Sequence, residues 1–70
     1  MVSEFDVGPR FDVGNRVRIK DHENGAYVGK TGEILRKGAL TVERGQVWAI
    51  SIETEQEPVL CYEDQLDFAV

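Results

Sequence analysis

The stretch FDVGNRVRIKDHENGAYVGKTGEIL, residues 11–35, decides the fold of this 70-residue chain. Its segment 16–20 alternates basic and apolar side chains, so that Val17 and Ile19 share one face, which is the period-two pattern of a half-buried β-strand. Residues 21–25, which follow, are all polar or turn-forming. The stretch therefore predicts a first strand followed by an exposed polar loop.

Glycines set the turns that lead from this loop into the second strand. The pair Asn24-Gly25 predicts a tight turn with positive φ, a conformation that both residue types tolerate. Gly29 and Gly32 predict a further turn in which a side chain would clash or φ is positive. A second strand is then expected over residues 33–37.

The rest of the chain continues the pattern of short strands and turns. Residues 46–52, QVWAISI, alternate best, with Trp48 and Ile50 on one face, and an acidic loop follows at residues 53–58. Further strands are expected over residues 40–42, 59–62 and 67–70, with a hairpin turn at residues 44–45 and a 3₁₀ turn at residues 63–66. The sequence thus predicts an all-β fold, a small barrel of about five short antiparallel strands with one 3₁₀ turn before the last strand.

Length and composition limit what such a chain can do. A domain of 70 residues buries only ~60 % of the surface that its unfolded chain exposes, which leaves little room for an enclosed active site. With 41 % hydrophobic and 30 % charged residues, the chain has the composition of an ordinary globular domain. We therefore expect one non-enzymatic domain.

Cysteine usage and the lack of long apolar runs bear on the compartment. The single cysteine, Cys61, allows neither an intramolecular disulfide nor a multi-cysteine zinc site. No apolar run approaches the ~20 residues of a membrane span, and residues 1–10 have neither the basic start nor the apolar stretch of a signal peptide. These features predict a cytoplasmic protein without a cofactor, metal or membrane span.

Charge is distributed unevenly along the chain, whose net charge is −5. Residues 1–40 hold seven basic and six acidic side chains, whereas residues 41–70 hold one basic and seven acidic ones. The net negative charge works against nonspecific binding to nucleic acid. A face built from the first half alone would nevertheless be locally basic.

The N-terminus contains a near-perfect tandem repeat. Residues 5–10, FDVGPR, and residues 11–16, FDVGNR, differ only at the fifth position. Pro9 lacks a backbone donor and restricts the residue before it, which disfavours a strand in the first copy. We predict that residues 1–10 are a flexible leader and that residues 11–70 form the folded domain.

Several short motifs resemble one group of SH3-like barrels. They are the FxxGxxVRI start, the YxGKTGEI segment, the WAISI strand and the closing YEDQLDF. The group they resemble is the electron-transport accessory group, which includes a small peripheral photosystem I protein, the variable chain of ferredoxin–thioredoxin reductase and the C-terminal domain of nitrile hydratase β subunits. PRFDVGNRVRI and GEILRKG are also similar to stretches of the nitrogenase-associated protein NifZ. This resemblance covers residues 9–68 and implies an SH3-like barrel that docks as an accessory subunit onto a larger, often redox or metalloenzyme, complex.

Two features that suggest chemistry do not match catalytic patterns. Residues 25–31, GAYVGKT, are similar to a phosphate-binding P-loop, but three residues instead of four separate the glycines, and a strand instead of a helix is expected next. His22 and Cys61 are conceivable as metal ligands or as a base and nucleophile, but their spacing fits no known ligand set. A surface histidine and a buried strand cysteine are the simpler interpretations.

The residues predicted to contact a partner are six cations and two aromatic residues. They are Arg16, Arg18, Lys20, Tyr27, Lys30, Arg36, Lys37 and Trp48. On a monomer or weak dimer they would form a protein-docking face. The alternative is a nucleic-acid-binding domain similar to KOW modules, which residues 29–34 resemble and which a basic and aromatic surface would suit. Trp48 has two open interpretations, core packing or an anchor at the rim of the barrel.

Overall fold

The computed structural model describes residues 11–69, which form an all-β fold. Its strands are β1 (Arg16–Ile19), β2 (Thr31–Thr41), β3 (Gly45–Ile52), β4 (Val59–Tyr62) and β5 (Leu66–Phe68), with 3₁₀ turns at Gly25–Tyr27 and Glu63–Gln65. The predicted fold class, with five antiparallel strands and a 3₁₀ turn before the last of them, is confirmed. No helix among these residues is long and apolar enough to cross a membrane. The predicted leader, residues 1–10, lies outside the described part of the chain.

The five strands form one curled antiparallel sheet in the order β4-β3-β2-β1-β5. This order makes β4 and β5 the two edges of the sheet. In a flat sheet four strand spacings would separate the edges by about 19 Å. The three-residue 3₁₀ turn that joins β4 to β5 can span at most about 14 Å. The sheet must therefore curl strongly and bring the ends of its edge strands close together.

β2 is longer than the sequence predicted. Instead of two strands at residues 33–37 and 40–42, the structure has one strand of 11 residues, whose pairing with β3 shifts register twice. The second shift lies at Gly38, where a buried side chain compensates for the disturbed ladder. The Gln46 amide Nε2 donates to the carbonyl oxygens of Gly38 at 2.7 Å and Ala39 at 3.3 Å. Since buried carbonyls need donors, Gln46 lets the strand continue through this bulge.

The core lies on the inner face of the sheet, where alternate residues of β1, β3 and β4 point. The buried cluster consists of Phe11, Val17, Ile19, Ile34, Trp48, Ile50, Ile52, Val59, Cys61 and Leu66. Trp48 is 0 % exposed, so the core interpretation of this residue is confirmed and the rim interpretation is wrong. Its indole Nε1 has no hydrogen-bond partner among the described residues. The buried cluster is thus apolar apart from this unsatisfied donor and the Cys61 thiol.

Two of the predicted turn features can be compared directly with the backbone. Gly32 is required because a Cβ there would overlap the backbone carbonyl of Ser51 on β3. Gly29 has φ +90°, as expected for its turn. Asn24, however, has φ −90° and its side chain accepts from the Ala26 N–H, so that it caps a 3₁₀ turn and does not adopt the predicted positive φ. Asparagine suits both roles, because its side chain mimics a turn of the backbone.

The second copy of the N-terminal repeat is part of the fold. Phe11 is buried, and its ring centroid lies 4.6 Å from that of Phe68 on β5. The N–H of Gly14 donates to the carbonyl of Ile34 at 2.8 Å, and the N–H of Ile34 donates to the carbonyl of Asn15 at 2.9 Å. These contacts extend the pairing of the chain with β2 before β1 begins.

Candidate functional site

The predicted basic row on β1 lies on the outer face of the sheet among carboxylates. Arg16 is paired with Glu33 on β2, and Arg18 is paired with Asp67 on β5. The Nζ of Lys20 lies 3.5 Å from Asp67 Oδ1. Residues directly opposite each other in a sheet share a face, so the chain's own acidic side chains offset much of this positive charge.

The other predicted cations do not join this row. β1 pairs with β2 only at residues 31–33, whereas Arg36 lies opposite Ala49 and Lys37 opposite Trp48, farther along β2. Lys30 is half-buried just before β2. Arg36 and Lys37 therefore lie apart from the row on β1, whereas the backbone of Lys30 lies beside it, where its carbonyl accepts from the Ile19 N–H at 2.8 Å.

Tyr27 takes part in a contact between two loops. It ends the first 3₁₀ turn, packs against the core cluster, and meets the ring of His22 edge-on with the centroids 5.1 Å apart. Its hydroxyl donates to Glu55 Oε1 at 3.5 Å. Tyr27 thus links the β1–β2 loop to the acidic β3–β4 loop, while Trp48, the other predicted aromatic contact, is buried.

A groove runs between these two loops and along β4. One hollow of about 590 Å³ lies beside Tyr27, Glu55, Glu57 and Pro58, and it is also lined by His22 and Leu60. A second hollow of about 250 Å³ shares His22 and Leu60 and continues past Glu23, Val47 and Tyr62. Both hollows are lined by His22 on the β1–β2 loop and by Leu60 on β4, so we treat them as one surface, the β4 groove. Leu60 lies at its centre and is 58 % exposed.

His22 holds the β1–β2 loop against the edge of the sheet. Its Nδ1 accepts from the Asn24 N–H at 2.9 Å, and its Nε2 lies 3.0 Å from the Leu60 carbonyl oxygen. An acceptor at Nδ1 and a neighbouring carbonyl at Nε2 together assign the neutral tautomer with the proton on Nε2. On the far side of Leu60, the Tyr62 N–H donates to Gln65 Oε1 at 2.9 Å. These side chains partly cover an edge strand that would otherwise be open.

Cys61 and His22 line the same hollow, but their environments do not favour catalysis. Cys61 is 1 % exposed, and burial raises the pKa of its thiol to about 11. A nucleophilic cysteine needs the opposite shift, toward the thiolate. Both ring nitrogens of His22 face backbone groups, so its ring does not act as a base toward Cys61. Among residues 11–69 no three His, Cys, Asp or Glu side chains are grouped to hold a metal ion.

The β4 groove is acidic and exposes the apolar side chains of Leu60 and Pro58. Glu23, Glu55 and Glu57 line its two hollows, and no lysine or arginine does. Beyond Tyr62 lies Arg44, whose guanidinium carbon is 4.1 Å above the Tyr62 ring and whose Nη2 is 2.9 Å from Asp64 Oδ1. The hydrogen bond to Asp64 raises the pKa of Arg44. The Arg44 guanidinium is therefore paired with Asp64, and among residues 11–69 no lysine or arginine side chain lines the groove beside its three glutamates.

The sequence did not predict the groove, although one part of it was visible. The acidic composition of residues 53–58 marked an exposed, negatively charged loop. The other wall depends on His22, which reaches a strand 38 residues away. No local pattern predicts such a contact, because the fold of the sheet brings His22 Nε2 and the Leu60 carbonyl together.

Comparisons with known proteins find no protein family, curated protein or solved structure that matches the chain. What the protein does is therefore inferred from its own geometry.

Proposed function

We propose that the protein is a non-enzymatic, SH3-like interaction module that acts as an accessory or docking subunit of a larger assembly. The short motifs shared with accessory SH3-like barrels support this proposal. A curled sheet of five antiparallel strands, with a 3₁₀ turn before β5, is compatible with such a module. The partner class implied is another protein.

The observation that carries the proposal is the exposed apolar floor of the β4 groove. Leu60 is 58 % exposed at the centre of a concave surface, and Pro58 and Tyr27 line the same hollow. Concave sites with apolar floors and a few polar groups at their edges are typical binding surfaces. The walls are tied together through His22 and Tyr27, so the groove exists before a partner arrives, which lowers the entropic cost of binding.

The experiment is photo-crosslinking from two exposed apolar positions. A photoreactive phenylalanine analogue replaces Leu60 in one variant, and in the control it replaces Val42, a fully exposed residue of the β2–β3 turn outside the groove. We expect one protein to be captured from position 60 in the native host and not from position 42. Capture that is equal at both positions, or absent at position 60, would contradict docking through the groove.

A further inference from the structure

We propose that the β4 groove binds an extended, basic segment of a partner protein, in which an apolar side chain rests on Leu60 between flanking lysine or arginine residues. This inference rests on the proposed docking function and specifies the chemistry of the partner. Three features of the groove support it, namely its charge, its length and the backbone at its floor.

Charge selects a cationic partner. Glu55 and Glu57 line one end of the groove and Glu23 lines the other. Neither hollow is lined by a described lysine or arginine, and residues 41–70 carry one basic side chain against seven acidic ones. A surface of one sign steers partners of the opposite sign and repels those of its own. The same carboxylates make the groove unsuitable for phosphate groups, which argues for a basic protein segment and against nucleic acid at this site.

The dimensions of the groove suit an extended segment. The groove follows β4, whose 4 residues extend over about 13 Å at 3.3 Å per residue. An extended segment of similar length places alternate side chains about 7 Å apart on one face. One apolar side chain can therefore lie over Leu60 while cations on either side reach the carboxylates at the two ends.

The backbone of β4 can take part in the contact. Within an antiparallel strand the N–H and C=O of one residue point to the same edge. The Leu60 carbonyl meets His22 at the edge that faces away from β3, so the Leu60 N–H points to this edge as well. Because His22 occupies the Leu60 carbonyl and Gln65 occupies the Tyr62 N–H, the edge offers the Leu60 N–H as a single donor to the main chain of an incoming segment, not a full strand ladder.

The test is fluorescence anisotropy of the full chain with three short labelled peptides. The first repeats lysine, glycine, valine and glycine, so that lysine and valine alternate along one face of the extended chain. The second has glutamate in place of lysine, and the third has glycine in place of valine. We expect the lysine–valine peptide to bind with an affinity that falls as salt rises, and the glutamate–valine peptide to show no binding. The lysine–glycine peptide should bind about tenfold more weakly, because it keeps the charge but loses the apolar contact with Leu60.

Two charge reversals show whether binding is local. E57K changes a groove residue, and E43K makes the same change of net charge on the β2–β3 turn, away from the groove. Both glutamates are exposed, so both variants should fold, as checked by circular dichroism. We expect E57K to weaken binding of the lysine–valine peptide about tenfold, since an attraction becomes a repulsion. E43K should change the affinity for this peptide less than about twofold.

The outcomes separate this inference from the docking function on which it rests. An equal loss of affinity in E57K and E43K, or equal binding of the lysine–valine and glutamate–valine peptides, would overturn the inference that the partner segment is basic. Absence of peptide binding would also overturn it, but the docking function would stand if position 60 still captured one protein. If capture fails as well, both proposals are wrong.

Discussion

Neighbouring residues of β4 face two different environments. Val59 and Cys61 point inward and are 6 % and 1 % exposed, whereas Leu60 between them is 58 % exposed in the acidic groove. The inner side meets Trp48 and the rest of the core, while the outer side lines the groove with His22 and residues of the two loops. The comparison separates stability from binding: changes on the inner side should unfold the protein, and changes on the outer side should alter what it binds.

The largest effect is expected on the inner side, at Trp48. Trp48→Ala should lower the free energy of unfolding by about 3–5 kcal/mol, because it empties the centre of the core. Trp48→Phe should lower it much less, since it keeps most of the apolar volume and removes an indole N–H that has no partner among the described residues. Urea denaturation followed by circular dichroism measures both. Equal losses in the two variants would contradict the account of Trp48.

The second effect concerns the bulge that β3 supports. Gln46→Leu should lower the free energy of unfolding by about 1–3 kcal/mol, because the carbonyls of Gly38 and Ala39 lose their donor. The matched control is Gln56→Leu in the exposed β3–β4 loop, which should have almost no effect. Thermal denaturation compares the stability of the two variants with that of the wild-type protein. A Gln46→Leu variant as stable as its control would show that the bulge needs no buried amide.

The third prediction uses the burial of Cys61. Because burial raises the pKa of its thiol from 9.0 to about 11, the folded protein holds this proton more tightly than the unfolded chain. The contribution of Cys61 is therefore fully present below about pH 9 and is lost as the pH rises toward 11. Denaturation at pH 8 and pH 10.5 should show a fall of about 1–2 kcal/mol that is missing in Cys61→Ala. An identical fall in the variant would assign it to other groups.

A smaller effect on stability is expected at His22, on the loop that contacts the outer side of β4. His22→Ala removes hydrogen bonds to Leu60 and Asn24 and should lower the free energy of unfolding by about 1 kcal/mol. It should also weaken binding of the lysine–valine peptide, because the β1–β2 loop is no longer held against β4. Lys20→Ala, which breaks an exposed ion pair with Asp67, should change stability by less than about 0.5 kcal/mol and leave peptide binding unchanged. A larger loss of stability and of peptide binding in Lys20→Ala than in His22→Ala would contradict the role of His22.

Much of the fold was predictable because it depends on local patterns. The alternation of Val17 and Ile19 with basic residues marked β1, and the alternation around Trp48 marked β3. Glycine at position 32 indicated a close approach, which the Ser51 carbonyl explains. These features need only neighbouring residues and the two faces of a strand.

The remaining features depend on contacts between distant parts of the chain. β2 continues through Gly38 only because the Gln46 amide is available there, and a bulge has no periodicity of its own. In the sequence the basic row looked suitable for a partner. The acidic residues opposite it, Glu33 and Asp67, are known only once the register of the sheet is known. The β4 groove depends on His22 reaching Leu60. Register and loop packing thus determine which charged side chains lie opposite each other and which line the groove.

The most direct test compares both candidate surfaces in one measurement. Amide chemical shifts of the ¹⁵N-labelled protein are followed by NMR while the lysine–valine peptide is added. We predict that the largest changes occur at residues 22–27 and 54–60, and that the amides of Arg16 and Arg18 on β1 do not move. Largest changes on β1, or at the β2–β3 turn, would contradict the claim that the groove along β4 is the docking surface.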